Sequence, residues 1–105
     1  FLVKTQDSFE FRLIDEVAVK GRISGVKLYE LLGRKGDVEA KTLETARAYE
    51  SAFATYQRGE FGEAAELFGR LVDDPASRTL QHRCRSYEKT PPPAEWGGVF
   101  VATFK

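Results

Sequence analysis

The apolar residues of this chain change their period near residue 40, and no single regular element can span that change. Before it they alternate. Phe9, Phe11 and Leu13 fall on one side of an extended strand, with Glu10 and Arg12 on the other, and the pattern resumes at Val17 and Val19 after Asp15-Glu16. A half-buried strand, bent or bulged near Asp15, is expected. Lys20 to Gly25 holds two glycines among polar neighbours. Val26, Leu28 and Glu30 then alternate with Lys27, Tyr29 and Leu31, so a second strand should return beside the first as a hairpin. The polar run Gly33-Arg34-Lys35-Gly36-Asp37 closes it.

Beyond that run the spacing is three or four. Leu43, Ala46, Tyr49, Phe53 and Tyr56 line one face of a helix that Thr42 can cap and Gly59 can stop. Phe61, Ala64, Ala65, Phe68, Leu71 and Val72 form the apolar stripe of a second helix. Asp74-Pro75 supplies an N-cap and a first-turn proline for a third, on which Ala76, Leu80, Cys84 and Tyr87 share a face. Pro91-Pro92-Pro93 ends the helices, since proline lacks the backbone donor and biases its predecessor away from the helix. Val99, Val101 and Thr103 alternate with Phe100, Ala102 and Phe104 in a last extended segment. A lone terminal strand needs a partner, and the N-terminal hairpin is the sheet at hand.

The expected class is therefore α+β: an N-terminal antiparallel hairpin, three short helices and a C-terminal strand returning to the sheet. The expected division is 1–33 for the strands, 34–41 for a linker and 42–105 for a helical tail with its terminal strand. A chain of 105 residues makes one small domain with a thin core. Because it opens on Phe1-Leu2-Val3 in mid-pattern, it reads as a segment of a longer protein.

Sixteen basic residues balance sixteen acidic ones, so no global field draws the chain to nucleic acid or to an anionic membrane. No apolar run approaches the roughly 20 residues needed to span a bilayer, and no direct membrane contact is expected. Cys84 is the single cysteine, which excludes an internal disulfide, argues against a structural zinc site and fits a cytosolic setting.

Phe9 to Gly33 contains Phe9-Glu10-Phe11-Arg12, then Val17-Ala18-Val19-Lys20-Gly21-Arg22, then Val26-Lys27-Leu28-Tyr29-Glu30-Leu31. This stretch is similar to the end of bacterial class III adenylate or guanylate cyclase catalytic domains, where F-x-F-R leads to V-x-V-K-G-K and V-x-[ILV]-Y-E-L. The remainder resembles the tails that follow such domains. Tyr56-Gln57-Arg58-Gly59-Glu60-Phe61-Gly62-Glu63-Ala64, Asp74-Pro75-Ala76-Ser77, Arg83-Cys84 and Pro92-Pro93-Ala94-Glu95-Trp96-Gly97-Gly98-Val99 stand in the tail's order and spacing.

The resemblance implies a parent that makes cyclic AMP or cyclic GMP from the triphosphate. It also implies two Mg or Mn ions held by aspartates and a site formed between two subunits. The metal-binding aspartates, purine-selecting residues and transition-state residues of that family would lie upstream of Phe1. This chain alone is accordingly expected to be non-catalytic and to hold no cofactor. Any membrane anchor of the parent is expected in an N-terminal region outside it. One substrate contact carries over. Lys20 matches the family lysine that can reach the triphosphate, and Arg22 stands where the family often has lysine, so the two are candidate phosphate ligands. Expected partners are the rest of the parent domain and a second copy, as a homodimer or a strand-swapped dimer.

A rival reading is an independent protein-binding module. Tyr56 to Pro75 has the look of one tetratricopeptide-type helix pair, although an array needs about three repeats to bury a continuous core. Arg78, His82, Arg85 and Lys89 fall on one face of the third helix and could hold an acidic partner, a solvated charged face being the plainer interpretation. His82 has no second histidine to support a metal or catalytic role. Cys84, on the apolar face, reads as a small buried hydrophobe, and Trp96 as an anchor for the tail.

Overall fold

The computed structural model describes residues 8–19, 25–93 and 96–102, the side chains of Val19, Val101 and Ala102 excepted. The hairpin is strand β1, Phe9–Val19, antiparallel to β2, Val26–Arg34. Three helices follow: α1, Ala40–Gln57; α2, Phe61–Gly69; and α3, Pro75–Lys89. Phe100–Ala102 forms β3, which pairs in parallel with the end of β1, Val17 opposite Phe100 and Val19 opposite Ala102. The sheet order is β2-β1-β3, and the class is α+β.

The hairpin is irregular in a way that matters for its packing. Its register shifts between Glu10 and Phe11 and again between Leu13 and Asp15, so Ile14 is left without an opposite residue on β2. A bulge of this kind turns backbone groups out of the ladder and re-aims the side chains after it. The bulge at Ile14 brings Asp15 to the face that already carries Arg12, and both are buried, Arg12 at 6% and Asp15 at 7% exposed, while Phe9, Phe11 and Leu13 are only half buried. The strand thus sends charge inward, the reverse of what simple alternation suggests.

The helices carry the core. Tyr49, Ala52, Phe53 and Tyr56 of α1 meet Ala64, Ala65 and Phe68 of α2 and Leu80 and Cys84 of α3. These positions recur three or four apart along each helix, so each presents one apolar stripe. Tyr49 stacks on Phe53 with ring centroids 6.4 Å apart and tilts onto Phe68 at 5.2 Å. Rings of this size contribute about 1.5–3 kcal/mol each when withdrawn from water. Gly59, at φ +85°, makes the left-handed turn that lets α2 fold back onto α1.

Two helix limits differ from the sequence pattern. α1 starts at Ala40 with Glu39 in the cap position and no side-chain cap bond, so Thr42 lies inside the helix and does not cap it. α2 ends at Gly69, which leaves Val72 in the following turn, 69% exposed and off the apolar stripe. For α3 the structure has the expected cap: Asp74 accepts a hydrogen bond from the backbone N–H of Ser77, with proline in the first turn.

Candidate functional site

The polar groups of this molecule converge where the hairpin lies on the helices. Three α1 side chains serve backbone groups of β1, one of them at the bulged Ile14. Tyr49 donates its hydroxyl to the carbonyl of Ile14 at 2.6 Å, Glu50 accepts the N–H of Leu13 at 2.8 Å, and Arg47 donates to the carbonyl of Phe11 at 3.0 Å. Buried backbone groups need such partners, and here a helix supplies what the ladder does not.

Two arginine centres flank this seam. Arg12 donates through Nε to Glu30 of β2 at 2.9 Å and through Nη1 to Asp74 at 2.8 Å, and its guanidinium lies 4.7 Å from the Tyr49 ring centroid. The Asp74 Oδ2 that receives Arg12 also accepts from the backbone and hydroxyl of Ser77, so one oxygen caps α3 and holds β1. Burial by itself would push the Asp74 carboxyl up, but the hydrogen bonds from Arg12 and Ser77 outweigh it and hold the group below its ordinary range. Burial likewise works against the Arg12 charge, and Asp74 and Glu30 reverse the balance.

Arg83 of α3 is the second centre. It binds Asp15 in the bidentate fashion, Nη1 to Oδ1 at 3.0 Å and Nη2 to Oδ2 at 2.9 Å, and Nη1 also donates to the Tyr56 hydroxyl at 3.1 Å. Its guanidinium carbon sits 3.9 Å from the ring centroid of Phe100. One side chain therefore touches β1, α1 and β3. The planar fork of arginine suits this arrangement, since it pairs with a carboxylate in its plane and stacks on a ring through its face. Burial alone would lower the Arg83 pKa; the bonds to Asp15 and Tyr56 raise it.

A third tie runs through Gln57, whose Nε2 donates to Glu16 at 3.0 Å and to the carbonyl of Gly98 at 3.1 Å. The segment after the prolines is held by Trp96, whose ring packs within 5.2 to 5.7 Å of Tyr56, Phe61 and Tyr87 by centroid. Trp96 is thus the anchor its position suggested. Cys84 is fully buried, and burial pushes its thiol up to about 11, away from the thiolate that nucleophilic chemistry needs.

The sequence-derived candidates fare differently. Lys20 and Arg22 lie outside the described residues, as do Thr103 and Phe104 of the last extended segment. Arg78, His82, Arg85 and Lys89 are all exposed on α3. Arg78 donates to the carbonyl of Val72, Arg85 pairs with Glu88 at 2.9 Å, and the stripe does not meet the hairpin ties. Arg12, Asp15 and Arg83 were absent from the candidate sites, and their chain separations of 62 and 68 residues explain why. The one local signal was the interrupted alternation at Asp15.

A cleft of about 450 Å³ opens between β2, the start of α1 and the turn after α2. Arg12, Glu30, Leu32, Thr42, Arg70 and Asp74 are among its lining residues. Among the described residues, no group of three or more His, Cys, Asp or Glu side chains is arranged to hold a metal ion, and no helix is long and apolar enough to cross a membrane. No family model, curated protein or solved structure matches this chain.

Proposed function

We propose that this chain is a non-catalytic closing module of a class III nucleotide cyclase, in which the helical tail clamps the terminal hairpin of the catalytic domain. One observation supports the reading above others: the two halves of the resemblance interlock. Arg12 and Asp15 come from the stretch similar to the end of the catalytic domain, and Tyr56, Asp74, Ser77, Arg83 and Gly98 from the stretch similar to the tail. Each of these tail residues bonds to the first stretch directly or through one intervening side chain. A tail that merely followed the domain in sequence would have no need of a bidentate arginine aimed at its last strands.

On this reading the parent forms cyclic AMP or cyclic GMP with two Mg or Mn ions in the cytoplasm. Lys20 and Arg22 would be the chain's contribution to phosphate binding. The tail would keep the hairpin in register without touching substrate. Support for an independent binding module is weaker: the basic stripe of α3 stays exposed, but Arg78 and Arg85 are answered within the chain by the carbonyl of Val72 and by Glu88.

The test is the rate of cyclic nucleotide formation by the parent enzyme, intact, with residues 42–105 deleted, and with Arg83→Met. The deletion is expected to abolish soluble activity and the substitution to reduce it. A deleted parent that remained soluble and fully active would overturn the proposal, as would cyclic nucleotide formation by the isolated chain.

A further inference from the structure

The C-terminal segment Trp96–Ala102 touches both strands of the hairpin at the same end. On β1 the contact is the parallel ladder of β3, which sets Ala18 opposite Val101. Ala18 is 6% exposed, and it is the one apolar residue of the hairpin that is buried among those described. On the β2 side the contact is Val99. A Cβ at Gly25 would lie 2.9 Å from Cγ of Glu16 and 3.1 Å from Cγ1 of Val99, so the missing side chain is what lets the segment close on the start of β2.

A parallel pairing of three residues is weak by itself, so other contacts decide whether it forms. Two helix side chains supply them, and each holds the segment and β1 together. Gln57 donates from one nitrogen to Glu16 and to the carbonyl of Gly98. Arg83 takes Asp15 in the plane of its guanidinium and the ring of Phe100 against its face. We propose that Trp96–Ala102 is a strap through which the helical tail regulates the end of the hairpin from which Lys20 and Arg22 follow in sequence. Docked, it fixes Val17–Val19 and Gly25 relative to the helices. Released, it withdraws the ladder from the one and the Val99 contact from the other. The geometry rests on the strap, its two holders and the strand ends, and the consequence for phosphate binding rests on the cyclase reading. The coupling is reciprocal: whatever holds the strap orders the strand ends, and whatever orders the strand ends holds the strap.

Two substitutions outside the helix core test the strap. Phe100→Ala takes the ring from Arg83, and Gly25→Ala drives a methyl group against Val99 and Glu16. In this chain each is expected to speed amide exchange over 17–19 and at Phe100 by at least about tenfold, a local loss of protection, while the amides of Ala64 and Ala65 keep theirs. Phe100→Tyr keeps the ring and is expected to exchange as the original chain does. In the parent enzyme Phe100→Ala and Gly25→Ala are expected to raise KM for the triphosphate at least about tenfold with kcat within about twofold, the signature of lost ground-state binding. Phe100→Tyr is expected to restore KM. Unchanged exchange over 17–19 in both alanine variants overturns the strap whatever the parent does. So does exchange that rises equally at Ala64 and Ala65, because the whole fold would then have loosened. Faster exchange with an unaltered KM in an active parent overturns the regulatory role. A parent that forms no cyclic nucleotide in any version overturns the cyclase reading and the regulatory role with it, and the exchange data then decide the strap by themselves.

Discussion

Between α1, α2 and α3 the contact is made of rings and small side chains: Tyr49, Phe53, Tyr56 and Phe68 against Ala64, Ala65, Leu80 and Cys84. Between the hairpin and those helices it is made largely of charge and backbone-directed bonds, with Arg12, Asp15 and Glu16 of β1 answered by Asp74, Arg83 and Gln57. The first contact is non-directional and tolerates small shifts. The second holds only in one register, because a bidentate pair and a carbonyl bond are both lost when a strand slips by a residue. The helices therefore supply stability and the junction supplies position. Tyr49 and Tyr56 belong to both, with rings in the core and hydroxyls in the junction.

The largest effect should come from the core. Phe53→Ala leaves a cavity among Tyr49, Tyr56 and their neighbours and is expected to cost about 3–5 kcal/mol, as large aromatic truncations do. Urea unfolding followed by Trp96 fluorescence should show the hairpin and helices lost together. If β1 stayed ordered after the helices had melted, the junction would not depend on the core and the contrast drawn above would fail.

Arg83→Met is expected to come next, at about 3 kcal/mol, since Asp15 is left buried without its partner. The revealing comparison is the double substitution Asp15→Leu with Arg83→Met. Removing both charges should recover most of that loss, because an unpaired buried carboxylate is the costly species and the pair itself nearly breaks even against apolar packing. Specificity should not recover. Hydrogen exchange along β1 is expected to remain faster in the double variant than in the original chain, as the directional tie is gone. Full protection of β1 there would assign the register to apolar packing alone.

Acid and alkali should separate the two regions. The folded Asp74 pKa is depressed, so its contribution is present above the unfolded value near 3.8 and is lost as the pH falls through the folded value. Acid therefore loosens the junction below about pH 4. In the core the shift is upward: Cys84 moves from 9.0 to about 11 by burial, and the Tyr56 hydroxyl, at the border of core and junction, moves from 10.0 to about 12, also by burial. Each contributes fully below its unfolded value and is lost as the pH rises through the folded one. Midpoints of urea unfolding against pH should fall at both ends. Asp74→Asn should flatten the acid side, and Cys84→Ala the stretch between about 9 and 11. An acid limb that Asp74→Asn leaves untouched would remove Asp74 from the junction's energetics.

How much of this was legible follows the same division. The helix stripes and the Asp74-Pro75 cap are local patterns, each written within a few consecutive turns, and the structure carries them where the periodicity placed them, except that α2 stops at Gly69, short of Leu71 and Val72. The bulge near Asp15 was visible as a broken alternation. What it does was not visible. Alternation put Arg12 on the side opposite Phe11 and Leu13, yet that side is the one that meets the helices, and its partner Asp74 lies 62 residues away. No period links a strand charge to a helix charge across that distance. The start of α1 at Ala40 was missed for a related reason: Glu39 forms no side-chain cap bond, so the usual signature is absent.

The smallest effect tests whether the cap and the clamp are one device. Ser77 is fully buried, and its hydroxyl and backbone N–H both donate to the Asp74 oxygen that also receives Arg12. Ser77→Ala removes the hydroxyl and keeps the backbone bond, so about 1 kcal/mol is expected, the usual worth of one such hydrogen bond. Asp74→Asn, by contrast, weakens both the cap and the Arg12 pair, and should cost more. Measured side by side by urea unfolding, the two changes apportion the oxygen's work. Equal losses would mean that Asp74 matters to the fold chiefly as a helix cap, with β1 held to the helices mainly from the Arg83 side.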